Sequence, residues 1–188
     1  MHSLDSGESE IIEAIGREAR ADRVPIIRQE TGCLLKVLLR MNRPQRILEI
    51  GTAVGYSAIL MSECLEPGAT ITTVEKYEKR IPIARENIRR AGKEDCITLI
   101  EGDALEVMAG LEPGYDFVFM DAGSVPVLTS EAPELSRSVL AHSLRTSPVL
   151  AVSILLGCAH RSPSRSPLSF FPWHPEPPDA SWIRSVPA

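Results

Sequence analysis

The sequence predicts an α/β fold in which a parallel β-sheet is covered by helices on both faces. Short apolar runs alternate with helical patterns as far as residue 121. The apolar runs are continuous, as in strands that are buried on both faces of a sheet. This alternation implies right-handed crossovers, which bring the carboxyl ends of the strands to one edge of the sheet.

The elements are predicted from apolar periodicity and from the prolines and glycines that interrupt it. Two amphipathic helices come first, at residues 8–22 and 30–41. In chain order there follow strand 46–50, helix 56–65, strand 70–74, helix 79–91, strand 97–100, short helix 102–110 and strand 116–120. A later apolar run, residues 149–155, is the stretch that could pair with the last of these strands.

The composition changes sharply near Gly123. Ten of the 15 prolines and none of the lysines lie after residue 122. We therefore divide the chain into N-terminal helices (1–45), a ligand-binding core (46–122), an atypical continuation (123–160) and a tail rich in Pro, Ser and Arg (161–188). The composition of the tail predicts disorder.

Charge and cysteine content exclude several classes of protein. The net charge of −5 argues against a surface that binds nucleic acid as a whole. The four cysteines are far apart and form no Cys-x-x-Cys motif, which is typical of reduced thiols. No signal peptide is recognisable, and the longest late apolar run is too short to span a membrane. We expect a cytoplasmic protein without a membrane partner.

The most informative motif is the glycine turn that follows the first predicted strand, residues 51–55. Gly51 can adopt the positive φ of a tight turn, and Gly55 allows a close approach of the backbone to a ligand or strand. The helix that follows directs free N–H groups towards a bound group. Glu75 ends the next apolar run, where a nucleotide-binding sheet places the carboxylate that holds ribose hydroxyls.

The turn fits a cationic ligand better than a dinucleotide. Ala53 and Tyr56 stand where the dinucleotide motif has its second and third glycines. Glu49, two residues before the first glycine, is unfavourable beside two phosphates but suits an ammonium group. S-adenosylmethionine (SAM) carries an α-ammonium, a sulfonium and a ribose, and it has no phosphate. We therefore predict SAM as the cofactor, with an NAD(P)-dependent oxidoreductase and a purely structural turn as alternatives.

Three segments resemble the cation-dependent class I O-methyltransferases of the catechol and caffeoyl-CoA type. They are Glu49-Ile-Gly-Thr-Ala-Val-Gly-Tyr-Ser, Glu101-Gly-Asp-Ala-Leu-Glu and Tyr115-Asp-Phe-Val-Phe-Met-Asp-Ala. Val24-Pro-Ile and the short N-terminal helices look most like the bacterial members that methylate 5-hydroxyuridine in tRNA. The resemblance covers about residues 10–122. It implies a seven-stranded, Rossmann-like class I methyltransferase sheet, with SAM and a Mg²⁺-type cation.

The resemblance also implies roles for residues near the methionine end of SAM. Glu49 and the backbone at Gly51 would hold that end, with Gly55 in the same turn. Ser57 would bond the carboxylate of the methionine, and Ile27 would lie over the cofactor.

At the other end of the cofactor, Glu75 would bond the ribose. Asp103 and Ala104 would border the adenine. Asp121 would lie at the cofactor site as the first ligand of a divalent metal.

The chain departs from this family after the last predicted strand. Ser124 stands where the family has a lysine that assists catalysis, and Ser147-Pro148 where it has an Asp-Asn metal pair. The catalytic residues are therefore unassigned, and an altered reading frame or truncated gene is one hypothesis for the C-terminal third.

Two functions follow from this sequence. The first is methyl transfer to a hydroxylated acceptor, either a small molecule or tRNA. The alternative is an inactive SAM-binding chain. A homodimer is a further expectation for the assembly of this chain.

Overall fold

The computed structural model describes residues 9–112, 114–121, 150–154 and 168–169. The helices in these ranges are α1 (Glu10–Ala21), α2 (Gln29–Asn42), α3 (Tyr56–Ser62), α4 (Ile81–Arg90) and α5 (Ala104–Gly110). The strands are β1 (Arg46–Ile50), β2 (Thr70–Glu75), β3 (Ile97–Glu101), β4 (Phe117–Asp121), β5 (Leu150–Ile154) and β6 (Leu168–Ser169).

The described strands form one sheet in the order β3-β2-β1-β4-β5-β6. Strands β1 to β5 pair in parallel, and β6 pairs antiparallel with β5. From β1 the chain builds outwards to β2 and β3, then crosses to the other side of β1 to form β4. The carboxyl ends of β1 and β4 therefore flank a switch point, which is where open α/β sheets bind ligands.

Helices cover both faces of this sheet, which confirms the predicted α/β class. The alternation of side chains along β1 separates two apolar clusters. Ile47 packs in the cluster that also contains residues of α1, α2, α3 and α4. Leu48 and Ile50 point to the opposite face, where they pack with Met108 of α5.

Helix α3 is buried along its whole length, between the sheet and the N-terminal helices. Two glycines allow this close packing. A Cβ atom at Gly16 of α1 would lie 3.0 Å from the Tyr56 ring, and one at Gly32 of α2 would lie 3.2 Å from Leu60 Cδ1. The packing fixes the position at which the chain leaves the glycine turn.

The sheet continues beyond β4 with β5, which lies within the apolar run at residues 149–155 and pairs with β4, as predicted. Strand β4 is thus paired on both sides, and it does not present an open edge. Leu168 and Ser169, which form β6, belong to the tail for which disorder is predicted. Ser124, Ser147 and Pro148 lie outside the described residues. None of the helices in the described ranges has the length and apolar character needed to cross a membrane.

Candidate functional site at the carboxyl edge of the sheet

The glycine turn at residues 51–55 is wedged between the ends of β2 and β4. Gly51 has φ of 99°, and its N–H donates to the Val74 carbonyl at 3.0 Å. A Cβ atom at Gly51 would lie 3.0 Å from the Asp121 carbonyl oxygen. Only glycine combines this φ with so close an approach to β4.

The second half of the turn is tight and is held from outside. Gly55 has φ of 85°, and its N–H donates to the Thr52 carbonyl at 2.8 Å. Ala53 also has a positive φ, 49°, which is unfavourable for a residue with a Cβ atom. Its N–H donates to Oε2 of Glu75 at 2.7 Å. This charge-assisted hydrogen bond stabilises the unfavourable backbone conformation.

Glu75 ends β2 with a carboxylate that is largely buried and oriented by backbone groups. Besides Ala53, the N–H groups of Lys76 and Tyr77 donate to Oε1 at 3.1 and 2.9 Å. A carboxylate oxygen can accept more than one hydrogen bond, so Oε2 retains the capacity to accept one from a ligand hydroxyl. Glu75 lies where the sequence predicts it, at a strand end beside the turn.

Glu49 is the most buried acid of the site, with an exposed fraction of 0%. Thr73 lies opposite it in the register of β1 and β2. Ser57 Oγ donates to Oε1 of Glu49, and Thr73 Oγ1 donates to Oε2. Thr73 Oγ1 also lies 2.6 Å from Thr52 Oγ1 in the turn. We call Glu49, Thr52, Ser57 and Thr73 the Glu49 network.

The pKa of Glu49 is raised from 4.5 to about 7, and the largest cause is burial, which disfavours the charged carboxylate. The hydrogen bonds from Ser57 and Thr73 lower the pKa, because they favour the charged carboxylate. The negative charges of Asp121 and Glu75 act with burial and raise the pKa. Glu49 therefore exchanges between its protonated and ionised forms near neutral pH.

The end of β3 brings Asp103 and Ala104 to the same edge of the sheet. The N–H of Gly102 donates to the Glu75 carbonyl at 2.9 Å. Oδ2 of Asp103 lies 3.6 Å from Nζ of Lys76. Ala104 is buried as the first residue of α5. The residues predicted to border the adenine are thus next to the residue predicted to bond the ribose.

The remaining predicted residues lie in different surroundings. Ile27 is buried in the apolar cluster formed with α1, α2 and α3. Asp121 ends β4 beside Gly51. Within the described residues, no three His, Cys, Asp or Glu side chains are grouped so that they could hold a metal ion. Asp121 is the one residue of the implied metal set that the described ranges contain.

Thr52 and Thr73 are polar residues of the site that the sequence does not reveal. Thr73 lies in a run that is otherwise explained as a buried strand, Thr70-Ile-Thr-Thr-Val. Its contact with Glu49 depends on the register of β2 against β1, which a single sequence does not give. The signal in the sequence is a polar residue, Thr73, near the end of an apolar run, two positions before Glu75.

Comparison with known proteins places this geometry in a family. A family model described as O-methyltransferase matches residues 2–126. A catechol O-methyltransferase of Mycobacterium tuberculosis is 34% identical over 105 residues, which are 55% of this chain and 47% of that protein. Catechol O-methyltransferase B of Danio rerio is 36% identical over 98 residues, 49% of this chain and 37% of that protein. The chain thus spans less than half the length of these relatives.

Solved structures agree with the sequence comparison. The O-methyltransferase TomG from Streptomyces achromogenes, involved in tomaymycin synthesis and solved in complex with SAM, has a TM-score of 0.69 and 27% identity. The match covers 80% of this chain and 67% of TomG. An O-methyltransferase from Bacillus cereus in complex with SAH has a TM-score of 0.67 and 25% identity, over 80% of this chain and 68% of that one.

The family model covers more than half of the chain, and it includes every residue of the turn, the Glu49 network and the strand ends that flank them. The chain therefore belongs to the O-methyltransferase family.

Proposed function

We propose that this chain binds SAM at the glycine turn and transfers the methyl group to a hydroxylated acceptor. The observation that carries the proposal is the turn itself, which is held on one side by the Glu49 network and on the other by Glu75. The solved relative TomG binds SAM.

The charge at this edge of the sheet fits SAM. Glu49, Glu75 and Asp121 interact electrostatically around the end of β1, and all three are acids. A ligand with a sulfonium and an ammonium is attracted by such a group, whereas a pyrophosphate is repelled. The same charges disfavour an NAD(P)-dependent oxidoreductase.

Each end of the cofactor has candidate partners. We assign the ribose hydroxyls to Oε2 of Glu75, and the adenine to the region of Asp103 and Ala104. The methionine end is assigned to the backbone at Gly51 and to Ser57, within the turn that Gly55 closes. Glu49 is fully buried beneath Ser57. Its contribution is therefore the negative charge that it places under the turn. Ile27 is assigned to support the site from the N-terminal segment.

When bound, SAM supplies an electrophilic methyl group. The contribution of the chain is to hold the sulfonium at a fixed position, so that an acceptor oxygen can be aligned with it. A Mg²⁺-type cation takes about six oxygen ligands, and Asp121 alone does not supply such a set. Asp121 is proposed as one ligand of such a cation.

We propose a small catechol-like acceptor. The two relatives found by sequence, from Mycobacterium tuberculosis and Danio rerio, are catechol O-methyltransferases. The basic end of α4 gives little support to tRNA, because its arginines are paired with acids. The pairs are Arg85 with Glu101, Arg89 with Glu86, and Arg90 with Glu18.

For the cellular location we propose the cytoplasm. Cys33, Cys64 and Cys96, the cysteines in the described ranges, are free thiols. Free thiols are typical of a reducing compartment.

The test is calorimetric titration of the full chain with SAM, SAH and NAD⁺, followed by an assay of methyl transfer from SAM to catechol. The assay is run with and without Mg²⁺, and with tRNA that contains 5-hydroxyuridine as a second acceptor. SAM binding with transfer to catechol supports the proposal. Transfer to tRNA alone would overturn the acceptor assignment, and SAM binding without any transfer would leave only a cofactor-binding chain. Binding of NAD⁺ in the absence of SAM binding would overturn the cofactor.

A further inference from the structure

Thr73 connects two parts of the site that are separate in sequence. It is fully buried on β2, and its hydroxyl donates to Glu49 on the neighbouring strand. The same oxygen lies 2.6 Å from Thr52 Oγ1, in the turn. A single hydroxyl thus links the buried acid to the backbone segment where the cofactor is proposed to bind.

We propose that Thr73 is a positioning residue of the cofactor site, which orients the turn through Thr52 and favours the ionised form of Glu49. The proposal rests on the proposed function, because it concerns the binding of SAM at that turn.

The number of hydroxyl protons determines which group donates in each hydrogen bond of the Glu49 network. A hydroxyl donates one hydrogen bond, so when Thr73 donates to Glu49, Thr52 must donate to Thr73. With Glu49 ionised, Thr52, Thr73 and Ser57 each donate to an oxygen of this network. This arrangement is the one that satisfies all three hydroxyls.

Protonation of Glu49 breaks this arrangement. The new O–H of the carboxyl group must donate to Thr73 or to Ser57. If it donates to Thr73, the Thr73 proton turns towards Thr52, whose own proton then loses its acceptor. If it donates to Ser57, the Ser57 proton loses Glu49 as its acceptor. Because Thr52 and Ser57 are 1% and 6% exposed, water has little access to replace the lost bond.

The electrostatic surroundings of Glu49 favour a cationic ligand nearby. Glu75 at the end of β2 and Asp121 at the end of β4 are the charged groups that shift its pKa, and both are anions. From α3, the Ser57 hydroxyl faces it. The pKa of Glu49, raised mainly by burial, is about 7, so that a bound cation would favour its ionised form in the accessible pH range.

The experiment measures the Kd of SAM by calorimetry from pH 6 to pH 8.5, using the full chain. Wild type is compared with Thr73→Val, Thr73→Ser and Glu49→Gln. Thr72→Val is the matched control, because Thr72 is the adjacent residue on β2 and its hydroxyl accepts a bond from Tyr115 instead. With Glu49→Gln the amino group of SAM still titrates, whereas the side chain at position 49 no longer does.

We expect wild type to lose affinity for SAM by about tenfold between pH 8 and pH 6, beyond any loss in Glu49→Gln. Thr73→Val should weaken binding about three- to tenfold at pH 7, with its pH midpoint moved upwards, because one bond to the ionised acid is gone. Thr73→Ser and Thr72→Val should behave like wild type.

Three results would each overturn the inference. One is a Thr73→Val protein with the wild-type Kd and pH midpoint, and another is Thr73→Ser binding as weakly as Thr73→Val. The third is a wild-type pH profile that matches that of Glu49→Gln, a comparison that stands even if Thr73→Val fails to fold. Failure of the proposed function is a distinct outcome, since wild type would then bind no SAM at any pH.

Discussion

At the scale of single residues, Glu75 orients the turn through Ala53, and we propose that it also bonds the ribose of SAM. We predict that Glu75→Ala weakens SAM binding by about 1.5–3 kcal/mol, since charge-assisted bonds to both the backbone and the ligand are lost. Calorimetric titration measures this loss. Glu78→Ala, which removes an exposed carboxylate three residues later, is the control. Equal Kd values for Glu75→Ala and wild type would rule out the assignment of this acid to the cofactor.

A second prediction at this scale concerns Glu49 and stability. Its pKa in the folded protein, about 7, lies above the ordinary value of 4.5. The folded state therefore binds the proton more tightly than the unfolded state does. The stabilisation from that proton is fully present below pH 4.5 and is lost as the pH rises through about 7.

The free energy of unfolding of wild type should accordingly fall by about 3 kcal/mol more than that of Glu49→Gln between pH 4.5 and pH 8. Urea denaturation of the two proteins at both pH values measures the difference. If the two stabilities change in parallel with pH, Glu49 does not titrate in this range.

The site residues predicted from the sequence include Glu49, Ser57 and Glu75 but not Thr52 and Thr73, whose hydroxyls complete the Glu49 network. Glu75 could be predicted because its spacing from Gly51 follows from the length of one strand–helix–strand unit. Thr73 could not be predicted, because its partner Glu49 lies on the neighbouring strand β1, and their contact depends on the register of the two strands. The full burial of Glu49 was also not predicted, since the resemblance suggested a direct role at the methionine end.

At the scale of elements, Gly51 in the turn and Gly68 in the loop before β2 form a pair that separates backbone strain from steric contact. Gly51 and Gly68 have φ of 99° and 87°, but only Gly51 has an atom within 4 Å of an added Cβ, the Asp121 carbonyl oxygen at 3.0 Å. Gly68→Ala should cost about 1–2 kcal/mol of stability from conformation alone. Gly51→Ala should cost about 1–3 kcal/mol more, because β4 must shift.

Chemical denaturation measures both costs, and calorimetry with SAM measures their effect on the site. We expect Gly68→Ala to bind SAM as wild type does and Gly51→Ala to bind it weakly. Equal stability losses in the two variants would show that the close approach of the turn to β4 is unimportant.

The bounds of the elements show which signals in the sequence were strong. Strand β1 has the predicted bounds, because Pro44 and Gly51 limit the apolar run on both sides. Helix α3 ends at Ser62, three residues before its predicted end. Ser62 Oγ donates to the Ile59 carbonyl at 2.7 Å, a local bond that competes with helical continuation. Apolar periodicity alone does not predict that this side-chain bond ends the helix at Ser62.

At the scale of the whole molecule, β1 and β4 are the two central strands of the described sheet. We predict slow amide hydrogen exchange in β1 and β4 and faster exchange in β3, which lies at the edge. The protection of β4 should be independent of protein concentration, because β5 of the same chain covers it. Exchange followed by mass spectrometry at two concentrations tests this. Protection of β4 that vanishes on dilution would mean that another chain supplies the neighbouring strand.

The Glu49 network has a consequence for the heat of cofactor binding. At pH 7 about half of the molecules carry a proton on Glu49, given its pKa of about 7. If SAM binds the ionised form, complex formation expels about half a proton per site into the buffer. The observed enthalpy should then differ between phosphate and Tris, whose ionisation heats are unlike, although the Kd is the same in both. In Glu49→Gln that difference should shrink to the part due to the ligand's own amino group. The buried acid would thus make this protein a source of protons whenever it takes up its methyl donor.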